Sequence, residues 1–241
     1  MELKAKPYLR EISIRPDVDI DETCYPFTIP SVRNMNVIAP HPDVTFLVGE
    51  NGAGKSTILE AIAVAMGLPS EGGTRNVSRH QQDVSPLQDC LKIVKSFRKP
   101  RRSYFLRAES LFNVFTYIDS IKDATDPRPS LHLRSHGEAF MDVMQDFSPG
   151  GLYLLDEPEA ALSPSRQLAA LRVIDQLVQQ DCQFIIATHS PILMAYPHAK
   201  ILLCDGSGIS DIKYEDTEHF ALTRDFLNHH ERRLHQLLND D

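Results

Sequence analysis

The stretch VTFLVGENGAGKSTILEAIAVAMG, residues 44–67, is the most informative part of the sequence for predicting the fold. Its first five residues form a short continuous apolar run, which is typical of a strand buried on both faces. A glycine-rich turn follows. The alanine-rich run at residues 56–66 then predicts a helix that ends at Gly67. We therefore expect a strand, a tight turn and a helix in direct succession.

The turn satisfies the pattern Gly-x-x-x-x-Gly-Lys-Ser/Thr of a phosphate-binding loop. Glycine lets backbone amides turn toward phosphate oxygens where a Cβ atom would obstruct them, and the following helix adds its positive end. Lys55 is expected to reach the β- and γ-phosphates, and the Ser56 hydroxyl to hold Mg²⁺. The predicted nucleotide-binding residues of this loop are Gly49, Glu50, Asn51, Gly52, Ala53, Gly54, Lys55, Ser56 and Thr57.

A second segment, LYLLDEPE at residues 152–159, supplies acidic residues. Its apolar run predicts a buried strand with Asp156 at the carboxyl end, the side on which open α/β sheets bind ligands. We expect Asp156 to hold Mg²⁺, mostly through water, and Glu157 to orient or deprotonate an attacking water. Consecutive acids at a strand end also serve solubility and helix capping, but the upstream phosphate-binding loop favours the catalytic interpretation.

A third segment, ATHSP, places His189 at the end of another apolar strand, 33 residues after Asp156. A single histidine is more often structural than catalytic. Because both strands are expected to end at the same sheet edge, the position favours a contact between His189 and the γ-phosphate. The predicted catalytic residues are Lys55, Glu157 and His189.

Apolar strands alternate with helices along the chain, which predicts an α/β fold with a mostly parallel sheet covered on both faces. YLREISI (8–14) and YPFTIPSV (25–32) predict an N-terminal antiparallel β portion, the second as an edge strand or ribbon. Residues 68–84 read as loop, and residues 86–122 as mostly helical with a strand as the alternative at SYFLRA. The helix predicted at 218–238 is expected to pack mainly on the core, with docking of a partner as the alternative.

Composition limits the classes of function. The net charge of −8 argues against a protein that attracts nucleic acid with its whole surface. No apolar run is long enough for a membrane span, no signal-peptide core precedes residue 14, and four scattered cysteines fit reduced thiols, so we expect a cytoplasmic protein. One run, residues 91–108, carries no acidic residue and seven basic ones: Lys92, Lys95, Arg98, Lys99, Arg101, Arg102 and Arg107. It is either a solvated face or a phosphate-contacting patch.

The phosphate-binding loop, LLDEPE, AALSP and THSP, in that order, resemble the nucleotide-binding domain of ABC-type ATPases. The turn SHGE lies where that superfamily carries its signature motif, with Glu138 18 residues before Asp156. The resemblance implies that Ser135, Gly137 and a helix starting near Glu138 contact the γ-phosphate bound by a second subunit. It therefore implies ATP-dependent, head-to-tail homodimerisation with composite active sites.

SHGE departs from the Leu-Ser-Gly-Gly-Gln of membrane transporters and is closer to the soluble ATPases of the SMC, RecF and OLD groups. The chain is similar to the small proteins of the "AAA family ATPase" group. The resemblance implies a single ABC-type ATPase domain over residues 1–241, with a small helical or insert lobe at about 68–140. It spans nearly the whole chain, from about Tyr8 to the C-terminal helix.

Three positions depart from the family pattern. Tyr25 is the candidate for stacking on adenine. The glutamine that links metal to the helical lobe has no clear equivalent, so Glu109 is the metal-site candidate, with Gln81, Gln82 and Gln88 as alternatives. In AALSP, Ser163-Pro164 stands where transporters usually carry Asp. Together with Ser56 and Asp156, Glu109 completes the predicted Mg²⁺ set.

The leading hypothesis is a Mg²⁺-dependent ATPase that drives a partner in DNA maintenance or defence. The 73 residues between Thr57 and Leu131 carry no sustained heptads, so we expect no coiled-coil arms, and no fused nuclease domain after the last helix. A separate effector or nuclease is then the expected partner. The alternatives are a P-loop kinase, the ATP-binding subunit of a membrane transporter, and a clamp or sensor module without turnover.

Overall fold

The computed structural model describes residues 6–74, 85–109 and 136–239. Within them a six-stranded sheet has the order β4-β5-β6-β2-β7-β8, parallel throughout except for the β7–β8 pair, and β1 pairs antiparallel with β3 in a second sheet. The strands are β1 Leu9–Ile14, β2 Val44–Val48, β3 Leu91–Lys95, β4 Ser103–Arg107, β5 Leu152–Asp156, β6 Gln183–Ala187, β7 Lys200–Asp205 and β8 Gly208–Asp211.

Seven α-helices lie in the described ranges, and the two longest come after β5 and after β8 in the chain. They are α1 Pro30–Arg33, α2 Lys55–Ala65, α3 Leu87–Cys90, α4 His136–Gln145, α5 Pro164–Val178, α6 Pro191–Met194 and α7 Glu218–Leu238. Single 3-10 turns occur at Pro158–Ala160 and Tyr214–Asp216. No helix of these ranges is both long and apolar enough to cross a bilayer.

The centre of the main sheet is buried on both faces, since every residue of β2, β5 and β6 is buried and most of them are apolar. On one face, α2 and the β1–β3 sheet cover Leu47, Leu154 and Ile185. On the other, α4 and α5 pack against a cluster that includes Phe46 and Phe184. The predicted α/β fold with a mostly parallel sheet is confirmed.

The register of the central strands brings the predicted functional residues to one edge. Ala187 at the end of β6 pairs with Leu47 of β2 on one side and with Asp156 of β5 on the other. The carboxyl ends of β2, β5 and β6 therefore coincide. The residues that follow these strands converge there for purely topological reasons.

The helical prediction for residues 86–122 is wrong over 91–102. Only Leu87–Cys90 is helical, and the next five residues form β3, in which Ile93 pairs with Ile12 of β1. The β-branched residues Ile93 and Val94 favour an extended chain, and β1 supplies the hydrogen-bonding partner that helical periodicity does not reveal. SYFLR forms β4, the alternative considered, and residues 110–122 lie outside the described ranges.

The edge strand predicted at residues 25–32 is also wrong. The chain makes turns up to Ile29 and then forms α1, with Pro30 in its first turn. Proline lacks the amide donor that a strand needs, and its fixed φ suits the first position of a helix. The apolar side chains of this segment serve the core instead, since Phe27 and Val32 are both buried.

The C-terminal helix α7 forms as predicted, but it does not pack on the core. None of its residues is buried, and Leu227, Leu234 and Leu238 are 68%, 41% and 77% exposed. A kink at His229 divides it. Only its beginning is held against the body of the protein, where the ring of Phe220 lies 4.4 Å from that of Tyr214.

Candidate nucleotide-binding site

The phosphate-binding loop has the backbone that its glycines predict. Gly49 has a φ of 142°, and a Cβ atom there would collide with the carbonyl oxygen of Cys204. Gly54, with a φ of 88°, begins α2, and a Cβ atom would lie 2.8 Å from Oγ of Ser31. Gly52 also has a positive φ, but it faces open space. The loop thus needs glycine at Gly49 and Gly54 for both backbone conformation and close packing.

Lys55 is buried at the start of α2, only 3% exposed, with its Nζ donating to the carbonyl oxygen of Glu50 at 2.8 Å. Burial lowers the pKa of the ammonium group, while the carboxylates of Glu157 and Asp156 oppose that shift. The amine therefore lies inside the loop, and its charge faces the acidic residues that follow β5.

Ser56 and Asp156 are in direct contact, since the serine hydroxyl donates to Oδ1 of Asp156 at 2.8 Å. The other oxygen, Oδ2, lies 3.3 Å from Nε of Arg107, whose Nη1 donates to Glu60 at 2.8 Å. Burial raises the pKa of Asp156 to about 6, against the opposing effects of the Ser56 hydrogen bond and the Arg107 charge. The residues predicted to hold Mg²⁺ thus form a buried polar centre.

This centre fits a magnesium ion by its chemistry. A hydroxyl and a carboxylate oxygen lie side by side, and small divalent cations such as Mg²⁺ prefer oxygen ligands. Oδ2 of Asp156 is paired with Arg107, so Oδ1 is the carboxylate oxygen that lies beside the Ser56 hydroxyl. The desolvated carboxyl group gains from any cation that replaces the lost water.

Glu157 follows Asp156 in the left-handed region, with a φ of 47°. Its amide donates to the carbonyl oxygen of Ala187 at 2.9 Å, which joins the ends of β5 and β6. The carboxylate Oε1 lies 3.6 Å from Nε2 of His189, and the two side chains are 34% and 25% exposed. Both predicted catalytic groups therefore lie together at a solvent-accessible edge.

His189 is held neutral by its surroundings. Burial, with further contributions from the charges of Lys55 and His219, lowers its pKa to about 4. Its Nδ1 lies 2.9 Å from Nε2 of His219, at the start of α7. Its Nε2 is buried without a hydrogen-bond partner among the described residues. Sequence reasoning missed His219, because nothing in the sequence places α7 beside β6.

Glu159 was missed as well. Its carboxylate accepts from Oγ1 of Thr188 at 2.7 Å and from the backbone amide of His189, which fixes the turn after β6. Burial raises its pKa, while these hydrogen bonds oppose the shift. The third acid of DEPE is a signal in the sequence, but its position does not show that the side chain reaches the turn after β6.

Two further predicted residues lie near the site. Tyr25 is 59% exposed, with its Oη 3.1 Å from Oγ1 of Thr57 on α2, so its ring lies beside the first turn after the loop. Glu109 is exposed just beyond β4, where the amide of Ala108 donates to the carbonyl oxygen of Asp156 at 3.2 Å. The negative charge of Glu109 contributes to the raised pKa of Asp156. Glu109 thus shares the sheet edge with the Asp156 centre.

Of the glutamine alternatives, Gln88 is not brought to this edge. Gln88 lies in α3, which leads into β3 of the two-stranded sheet. Gln81 and Gln82 lie outside the described residues. Ser163 caps α5, where its Oγ accepts from the amide of Arg166 at 3.4 Å.

The predicted signature turn is described only in part. Ser135 lies outside the described residues, and the helix that follows runs from His136, two residues before the predicted start. Gly137 is buried against α5, where a Cβ atom would collide with the guanidinium group of Arg166. Arg166 also lies 3.2 Å from Oε1 of Glu138. A glycine is therefore required at Gly137 for close packing of α4 on α5.

Comparisons with known proteins give two family matches and several relatives. A family model described as "AAA domain" matches residues 28–126, and one described as "AAA domain, putative AbiEii toxin, Type IV TA system" matches residues 139–195. The phosphonates import ATP-binding protein PhnC 2 of Albidiferax ferrireducens is 24% identical over 206 residues, which are 72% of this chain and 73% of that protein.

Two other similarities extend further along this chain. The energy-coupling factor transporter ATP-binding protein EcfA2 of Methanospirillum hungatei is 26% identical over 230 residues, 82% of this chain and 56% of EcfA2. The chain thus spans little more than half of that relative's length. The SMC head domain from Thermotoga maritima covers 85% of this chain and 99% of its own, at 15% identity and a TM-score of 0.46.

The fold, the phosphate-binding loop and the family matches define an ATP-binding domain of the P-loop class. More narrowly, the chain is similar to ATP-binding proteins of the ABC type and matches two AAA-domain models, each over less than half of its length.

Proposed function

We propose that this protein hydrolyses ATP with Mg²⁺ at the edge where β2, β5 and β6 end. One observation carries the proposal: Glu157 and His189 come within 3.6 Å of each other beside the buried Ser56–Asp156 pair. A site that only bound phosphate would need the loop and Lys55, but no acid–histidine pair beside them.

Each residue has a separate task in this proposal. The loop amides and Lys55 bind the β- and γ-phosphates, and Lys55 exchanges its contact with the Glu50 carbonyl for phosphate oxygens. Glu157 accepts a proton from, or orients, the attacking water. His189, neutral and with its Nε2 without a hydrogen-bond partner among the described residues, donates to a γ-phosphate oxygen. Tyr25 supplies an exposed ring for the base, beside Thr57.

Ser56 and Asp156 are the residues that would hold Mg²⁺, with Glu109 at the same edge. A bound Mg²⁺ ion would neutralise charge on the β- and γ-phosphates as the terminal phosphoryl group leaves. Arg107 keeps the Asp156 carboxylate oriented, because it is in turn paired with Glu60 of α2.

Phosphate release from ATP is the direct test. Wild-type protein should release phosphate with added Mg²⁺, and Glu157→Gln should bind a fluorescent ATP analogue normally while losing at least about 100-fold in kcat. Glu11→Gln, an exposed change on β1, is the matched control. Equal phosphate release by wild type and Glu157→Gln would refute the proposed hydrolytic site.

We propose further that ATP joins two copies head to tail, with Ser135 and Gly137 of one copy completing the site of the other. The partly exposed side chain of Glu157 supports this, since a γ-phosphate held beside it would remain accessible on one face. Gly137 begins the first turn of α4, and a helix N-terminus is suited to an anion. Hydrolysis would then release the dimer.

The partner that this cycle drives is proposed to be a separate effector or nuclease in DNA maintenance or defence. The second family model supports the defence alternative, because its description names a toxin of a type IV toxin–antitoxin system. The similarity to PhnC 2 and EcfA2 favours a second candidate function, the ATP-binding subunit of a transporter. Co-purification of a multi-spanning membrane protein with the tagged chain would favour that candidate.

A basic pocket supports contact with nucleic acid. Lys95, Arg98 and Lys99 line a cavity of about 330 Å³ beside Gly67, at the end of α2 remote from the phosphate-binding loop. Charge reversal of Arg98 and Lys99 should therefore abolish salt-sensitive DNA binding but leave ATP binding unchanged. Lys213→Glu, at an exposed lysine that does not line this pocket, is the control. DNA affinity that survives reversal of the pocket would contradict this contact.

A further inference from the structure

His219 lies outside every motif of the sequence, yet it is in hydrogen-bond contact with His189. The two rings meet edge to face, with centroids 5.0 Å apart and an interplanar angle of 60°. The contact joins Nδ1 of His189 to Nε2 of His219 at 2.9 Å. One nitrogen must donate and the other accept, because two lone pairs or two N–H groups at this distance would repel.

Which of the two rings donates follows from the surroundings of the second nitrogen of His189, Nε2. Its Nε2 lies 3.6 Å from Oε1 of Glu157, and a carboxylate only accepts. A lone pair on Nε2 would face that negative oxygen, whereas an N–H would be attracted to it. The proton of a neutral His189 ring therefore belongs on Nε2. The lone pair on Nδ1 is then the acceptor for an N–H of His219.

The surroundings of both rings favour the neutral form, which makes the choice of tautomer meaningful. Burial and the charge of Lys55 lower the pKa of His219, as they do that of His189. A neutral imidazole has only one N–H, so the partner at Nδ1 decides what Nε2 can do. A γ-phosphate oxygen requires a donor.

His219 is itself fixed by the segment before α7. Thr217, 1% exposed, donates its hydroxyl to the carbonyl oxygen of Tyr214 at 2.7 Å. The Tyr214 hydroxyl donates to the carbonyl oxygen of Pro191 at 2.9 Å, which ties this turn to the start of α6. The segments that carry the two histidines are therefore connected to each other as well as through the ring contact.

We propose that His219 is a positioning residue that holds His189 as the Nε2–H tautomer, with its donor aimed at the Glu157 side of the site. This inference rests on the proposed ATP hydrolysis for its purpose, but the tautomer itself is a property of the nucleotide-free protein. It also links the beginning of the projecting helix α7 to the catalytic edge.

The tautomer can be read directly from ¹⁵N-histidine NMR, in which two-bond couplings distinguish a protonated ring nitrogen from an unprotonated one. We expect His189 to be the Nε2–H form in wild type and in His219→Gln, whose side-chain amide offers a donor at the same reach. His219→Leu should give a mixture of tautomers. His230→Leu, an exposed change on the same helix, should match wild type.

Kinetics give the second readout. His219→Leu should lower kcat about 10- to 100-fold, the range typical of a lost orienting hydrogen bond, with KM for ATP changed less than about 2-fold. His219→Gln should recover most of the loss. An Nδ1–H form of His189 in wild type, or an unchanged tautomer and kcat in His219→Leu, would overturn the inference. If wild type showed the Nε2–H form without hydrolysing ATP, the proposed function would fail and the tautomer assignment would stand.

Discussion

Ser56 and Asp156 are separated by 100 positions in the chain, yet their side chains form a 2.8 Å hydrogen bond. The contact arises because β2, which leads into the phosphate-binding loop, and β5, which ends at Asp156, flank β6 in register. The site is thus a consequence of strand order, and changes on either side of this contact should act on the same process.

The first prediction concerns this pair. Asp156→Asn keeps the shape of the side chain but removes its negative charge, so it should weaken Mg²⁺-dependent ATP hydrolysis by at least about 100-fold. Ser56→Ala should lower hydrolysis in the same assay, and the double variant should be little worse than the more impaired single variant, because the two residues act together. Strictly additive losses in the double-variant cycle would show that they act independently.

The second prediction concerns backbone conformation in the loop. Gly49→Ala should destabilise the folded protein by roughly 1–3 kcal/mol, since its φ is 142° and the new methyl group would meet the carbonyl oxygen of Cys204. Gly206→Ala is the matched control, because a Cβ atom there has no neighbour within 4 Å. Urea unfolding of the nucleotide-free proteins measures both changes, and equal stabilities would contradict the close approach.

The third prediction concerns acid. The pKa of His189 falls from the ordinary 6.5 to about 4 in the folded protein, so the unfolded chain binds a proton that the folded protein does not. The stabilisation is therefore complete above about pH 6.5 and is lost as the pH falls toward 4. His189→Gln should flatten the decline of the free energy of unfolding across this window. His230→Gln, on exposed α7, should decline as wild type does, and a parallel decline in all three would refute the assignment.

The fourth prediction concerns Glu159, the buried acid that sequence reasoning missed. Glu159→Gln keeps the volume but brings an amide donor toward the backbone N–H of His189 or the Thr188 hydroxyl. One donor would then be left without an acceptor, which should cost about 1–3 kcal/mol in the free energy of unfolding. Glu215→Gln, an exposed acid ahead of α7, should change stability by less than about 0.5 kcal/mol.

Sequence patterns predicted the elements whose local chemistry is distinctive. The strand, glycine turn and helix at residues 44–67 and the apolar run ending at Asp156 both agree with the structure. Segments that depend on a distant partner were not predicted. Residues 91–95 become a strand because β1 is available, and Pro30 starts a helix because Phe27 and Val32 can both reach the core.

The residues of the candidate site fall into the same two groups, those that local sequence patterns predict and those that depend on the folded structure. Lys55, Ser56, Asp156, Glu157 and His189 follow strands or the glycine turn, so topology alone brings them together. His219 and Glu159 could not be identified, because their importance comes from where a loop and a helix start meet after folding. The packing of α7 was mispredicted for a related reason: its apolar residues indicate a helix face, but they do not show that anything in this chain covers it.

The most direct test of the account is the mass of the Glu157→Gln protein by light scattering after size exclusion, with and without ATP and Mg²⁺. This variant should bind ATP and stall before hydrolysis, so it should trap any ATP-bound dimer. We expect the mass to shift from one chain to two with ATP, and Ser135→Arg to abolish the shift while ATP binding persists. A mass that stays at one chain despite demonstrated ATP binding would contradict a composite site built from two copies of this protein.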